Sequence, residues 1–188
     1  WIAYSGQFIT VVLVQFLFKF QFNYLACLFI IFLSVLTNFY LIFRIKKKQL
    51  ENVNSTFFLA FDVFQLAILF FFTGGITNPF IFLIIIPVVF SSQYLKIKSS
   101  IILVFLTILL LVFLTFFHYD LPHPGIIHFH APDYYFYSIP VAIITGLIFL
   151  SYFAAKFGEE NRIRKKAYDK MQEIMAKENE LVSLGGQA

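Results

Sequence analysis

The chain has 188 residues, of which 60% are hydrophobic, 21% aromatic and only 13% charged. A soluble domain of this size carries about a quarter charged residues, so a soluble domain is excluded, and apolar runs long enough to span a bilayer point to a polytopic membrane protein. The net charge of +4 is no nucleic-acid signal, because Lys and Arg lie between and after those runs, where topology is decided.

The chain starts at Trp1, without Met, directly on an apolar run. It has no basic leader and no small-residue cleavage site, so a cleavable signal peptide is not expected, and the chain reads as cut from something longer. Apolar runs predict spans at about 3–18, 24–43, 57–73, 79–93, 100–117 and 135–156. Each must be a helix, since lipid offers unpaired backbone groups no partner. The fourth is short and begins at Pro79, so it is expected to tilt or to start in the interface. The predicted fold is therefore all-α: a polytopic six-helix transmembrane bundle over 1–156, followed by a cytoplasmic coiled-coil-like helix over 157–188. Cys27 falls inside the second run, which leaves neither a disulfide framework nor a metal-thiolate cluster.

Asp62 is the acidic residue within the spans, and Gln65 follows three positions on, near the same helix face. A carboxylate at mid-bilayer costs about 2.5–3.5 kcal/mol on insertion scales, so Asp62 is expected to face the bundle or the headgroups. Gly74 comes twelve residues later, roughly 18 Å along a helix axis. Asp62 therefore cannot touch a ligand held there; it reads either as signal coupling and helix pairing or as a structural hydrogen bond. Gln7, Gln15, Asn23 and Asn38 read as interhelical or interfacial contacts.

The stretch TGGITNPF at 73–80 separates the third and fourth runs. Gly74 and Gly75 end a helix and allow left-handed backbone, Thr77 or Asn78 can cap the next one, and Pro79 suits its first turn. A structural hairpin accounts for all of this. The same geometry also suits a hydrophobic carbonyl ligand such as a quinone, with backbone and amide donors for its oxygens and aromatic faces for its ring. It does not suit phosphate, because no basic residue is near and the glycine spacing is not that of a nucleotide loop.

His118, His123, His128 and His130, with Asp120 and Asp133, crowd the loop after the fifth run, around YDLPHPGIIHFHAPD. Zinc accepts three imidazoles, but the spacing matches no specific motif, and Pro122, Pro124, Gly125 and Pro132 suggest turns. The loop reads as polar and interfacial, with pH response as the alternative.

Beyond the sixth run the composition turns charged. Ala167, Met171, Ile174, Glu178 and Leu181 recur at alternating four and three, one turn after Ile163. Pairing with a twin helix in a homodimer is the preferred reading, and an amphipathic helix on anionic lipid the other. Glu173 and Lys177 are placed to pair, whereas Lys166 and Lys170 repel. Thirteen of the fourteen basic residues fall on one side of this topology, with Lys19 alone on the other. The positive-inside rule then makes both termini cytoplasmic and turns 74–78 and 118–134 outward.

GGITNPF at 74–80 resembles the GGxxNPF heptapeptide of the RegB/PrrB family of redox-responsive sensor histidine kinases. The resemblance extends to Asp62–Leu66 upstream, to Pro87 downstream and to the closing LGGQA. It implies a sensor domain of the bacterial inner membrane in which this loop binds ubiquinone, with Gly74, Gly75, Asn78, Pro79 and Phe80 as contacts and Asp62 and Gln65 in signal coupling. It also implies a homodimer, a response regulator as partner, and a kinase core beyond Ala188. That core would carry the phospho-acceptor His, the ATP site and the family's redox-active Cys, a role that Cys27 does not take. The 188 residues are thus expected to sense the membrane quinone pool without phosphorylating, and no metal or nucleic acid is implied. A small transporter or channel subunit is the alternative; it predicts several ionisable residues deep in the spans or an internal repeat. An enzyme of quinone or lipid chemistry would need an acid–base pair at one membrane depth, which only the outer histidines approach.

Overall fold

A computed structural model describes residues 2–16, 23–44, 52–119 and 133–185. Six α-helices follow one another among them: α1 (Ile2–Phe16), α2 (Tyr24–Arg44), α3 (Asn52–Phe72), α4 (Ile85–Tyr94), α5 (Ile97–Phe116) and α6 (Asp133–Gly185). Lys19, the basic run at 46–48, Asp120, the three histidines at 123, 128 and 130, and residues 186–188 lie outside the described residues.

Local chemistry sets several boundaries. The Asn23 carboxamide oxygen accepts the Ala26 N–H at 3.2 Å, capping the start of α2. At the end of α3, the Tyr119 N–H donates to the Phe71 carbonyl at 2.9 Å. The chain leaving α5 thereby satisfies one of the carbonyls a helix terminus leaves over. Between α3 and α4 the backbone runs through two 3-10 segments, Gly75–Thr77 and Ile81–Ile84.

The main core joins α3 to α6, with Val63, Ile76, Ile84, Val88, Leu103, Leu111, Leu114 and Leu147 almost fully buried. A smaller cluster of Val11, Cys27, Ile31 and Leu69 attaches α1 and α2. There the Gln65 side-chain N–H donates to the Gln7 side-chain oxygen at 3.1 Å, a polar link of the kind that holds helices together in lipid. Large side chains such as Phe29, Phe105 and Phe149 point outward, as a lipid-facing surface requires.

The expected six-helix transmembrane bundle needs correction. Among the described residues three helices are long and apolar enough to cross a membrane: Asn54–Phe72, Ile97–Phe116 and Tyr134–Leu181. Tyr24–Tyr40 and Ile81–Tyr94 are shorter apolar helices, and α1 has 15 residues. For the fourth run the reason is length. A hydrocarbon core of about 30 Å takes roughly 20 helical residues. The segment after Pro79 begins in 3-10 geometry and has only ten residues of α-helix. Apolarity marked six runs; among the described residues three helices are long and apolar enough to cross, and the apolar helix described within α2 stops at Tyr40. The chain is a multi-pass membrane protein all the same.

Helix α6 is continuous for 53 residues, with no break at 156–157 and Pro140 within it. Its length is about 80 Å. It packs chiefly on α4 and also on α5. From residue 161 to 181 every side chain is exposed, so the charged half of the helix projects beyond the bundle.

Candidate functional site

The stretch 73–80 forms a compact knot at one end of the bundle. Gly74 has φ 107° and Gly75 has φ 53°, both in the left-handed region that a side chain makes costly. Their carbonyls are used at once: Thr77 donates to the Gly74 oxygen through its N–H at 3.0 Å and its hydroxyl at 2.6 Å, and the Asn78 N–H donates to the Gly75 oxygen at 3.3 Å.

Asn78 clasps the knot. Its amide nitrogen donates to the Thr73 carbonyl and to the Thr73 hydroxyl, each at 2.8 Å. Its side-chain oxygen accepts the Phe80 N–H at 2.8 Å. The side chain is therefore committed to holding both ends of the turn, and capping is only part of its work. Thr77 does not cap the following segment, since its hydroxyl bonds backward. Gly74, Gly75 and Asn78 are buried, whereas Pro79 and Phe80 are exposed.

An aromatic collar surrounds this end. Phe71 stacks on Phe113 and meets Tyr119 edge-on, with ring centroids 6.2 and 5.4 Å apart. Tyr119 stacks on Phe72 at 5.6 Å, and Phe113 on Phe117 at 5.2 Å. Such a collar offers flat apolar faces to a planar ring.

Sequence reasoning grouped His118 with the outer-loop histidines and missed its place against the Gly75 turn. Its imidazole lies against Gly75: a Cβ on that glycine would overlap the His118 Cβ and Cγ and stand 2.8 Å from Nδ1. The other side of the ring stacks on Phe136 at the start of α6, 6.0 Å between centroids. No local pattern signals a contact between residues so far apart in the chain. The one hint was a glycine in a turn that needed close approach.

The expected coupling residues lie elsewhere. Asp62 is half-buried on α3, and Gln65 is buried against α1. Among the described residues no group of three or more His, Cys, Asp or Glu is placed to hold a metal; three of the loop's four histidines lie outside those residues.

At the opposite end, α4 and α6 touch backbone to backbone. A Cβ on Gly158 would overlap the Gln93 carbonyl oxygen and stand 2.9 Å from its carbon. One turn on, the Arg162 guanidinium donates to the same carbonyl at 3.5 Å. Phe136 and Gly158 are 22 residues apart on one helix, about 33 Å, so the two contacts sit roughly one hydrocarbon thickness apart.

Over 187 residues, 99% of the chain, the sequence is 29% identical to the sensor histidine kinase RegB of Cereibacter sphaeroides. The chain spans 40% of that protein's length. No solved structure matches. The chain is a membrane sensor-type domain distantly related to RegB-like histidine kinases. Residues 8–161 match the PilS-like transmembrane domain family, and the chain belongs to it.

Proposed function

We propose that this chain is the membrane input domain of a redox-responsive sensor histidine kinase, and that it holds a quinone of the ubiquinone type at residues 74–80. The observation that carries this reading is the Gly74–Gly75 knot, clasped by Asn78 and collared by aromatic rings. Its support comes from the relationship to RegB. In this reading Gly74 and Gly75 let the ring approach the backbone, Phe80 and Pro79 face lipid and admit the tail, and Asn78 keeps the turn in shape.

The quinone pool biases the kinase through population shift. A tenfold preference of quinone or quinol for one packing of the knot is about 1.4 kcal/mol, enough to move a two-state balance tenfold. The output is α6, whose exposed Met171, Ile174 and Leu181 pair with the same stripe of a second copy. The kinase core uses ATP and passes phosphate to a response regulator. The basic residues put α6's charged half on the cytoplasmic side of a bacterial inner membrane.

Titrating ubiquinone-1 into the protein in nanodiscs, followed by fluorescence quenching, tests the reading. Saturable binding is expected, weakened at least about tenfold in Asn78→Ala, which loses the hydrogen bonds of the clasp. Glu173→Gln, far out on α6, should bind as wild type. Absence of saturable binding would remove the quinone from the account.

A further inference from the structure

The knot spends its own polar atoms. Asn78 uses its amide nitrogen on Thr73 and its side-chain oxygen on the Phe80 N–H, and the Thr77 hydroxyl is spent on Gly74. One side-chain atom at this place is left over. His118 Nδ1 is buried and has no hydrogen-bond partner among the described residues, although a buried polar atom left unsatisfied is costly.

We propose that His118 belongs to the quinone site, with Nδ1 as the hydrogen-bonding partner of a quinone oxygen at the Gly75 turn. The inference rests on the quinone reading above and adds to it the residue that recognises the ligand's oxygen. A neutral imidazole nitrogen is a donor in one tautomer and an acceptor in the other. A quinone carbonyl accepts, whereas a quinol hydroxyl also donates. The same atom therefore serves both oxidation states by changing tautomer, which an ammonium or a carboxylate cannot do at constant charge.

The surroundings link this bond to the output. Helix α5 ends at Phe116, and Phe117 is extended, so His118 is carried on non-helical chain and its ring can swing off Gly75. Doing so exposes Nδ1 and the glycine backbone together, and it loosens the stack on Phe136. Pro140 lies four residues beyond Phe136 inside α6 and supplies no N–H to the Phe136 carbonyl. The helix thus lacks one backbone hydrogen bond at the turn His118 touches.

The test compares wild type, His118→Phe and His118→Asn in nanodiscs, measuring dissociation constants for ubiquinone-1 and ubiquinol-1 and the unfolding midpoint. Phe keeps a ring to stack on Phe136 and removes the polar atom; Asn places an amide where Nδ1 stands. His118→Phe should keep or raise the midpoint while binding both ligands about tenfold more weakly, and His118→Asn should recover most of that loss. Wild-type affinity in His118→Phe, or His118→Asn binding no better than His118→Phe, would overturn the proposal while leaving the quinone reading in place. No saturable binding to wild type would overturn both.

Discussion

Gly75 and His118 occupy one space between them. Alanine at 75 meets two penalties: a left-handed backbone, worth about 1–3 kcal/mol, and overlap with the imidazole. Gly74, with φ 107°, carries backbone strain of the same kind. Gly75→Ala should therefore be rescued in part by His118→Ala, with a coupling energy of about 0.5–3 kcal/mol. Unfolding of the two single variants and the double variant by denaturing detergent measures this, and strict additivity of Gly75→Ala with His118→Ala would show that the overlap is absent. At this scale the sequence was partly legible. Glycine pairs and Asn-Pro announce a turn because their backbone preferences are local. The role of Asn78 as a clasp and the approach of His118 are set by tertiary packing, which local preference does not encode.

Helices were legible wherever an apolar run was long, because in lipid the backbone has no other way to satisfy itself. What the runs concealed was conformation inside them. The segment after Pro79 has the composition of a spanning helix but opens in 3-10 geometry, since Asn78 takes the Phe80 N–H and fixes the entry. The depth of α4 against α6 was equally hidden: it depends on a single missing side chain at Gly158. Leucine there must push the Gln93 backbone away. Spin labels at Tyr94 and Phe157, both exposed, should move apart by a few ångströms in Gly158→Leu, roughly the thickness of the added side chain. An unchanged distance would mean that the two helices do not pack through this glycine. The tail pair was read correctly from spacing, and Lys177 donates to Glu173 at 2.7 Å, although an exposed i,i+4 pair contributes little to stability.

Across the whole molecule the knot and the Gly158 contact mark the two ends of the bundle, and α6 joins them. The Gly75, His118 and Phe136 contacts reach α6 at its start, and α4 carries the other side of the knot to Gln93 and Gly158. A ligand bound at 74–80 would have two routes to the projecting helix, along α6 from Phe136 and through α4 to Gly158, neither needing Asp62. The sequence reading counted spans by apolarity and arrived at six; among the described residues the helices both long and apolar enough to cross number three. The site did not depend on that count, because it is built where α3 ends and α5 and α6 come alongside.

The most direct measurement is photolabelling with an azido-quinone in native-like nanodiscs, followed by mapping of the modified peptides. The account predicts labels concentrated on 71–82 and 113–119, competed away by ubiquinone-1. Competed labels confined to α1 and α2, or to the projecting half of α6, would contradict it.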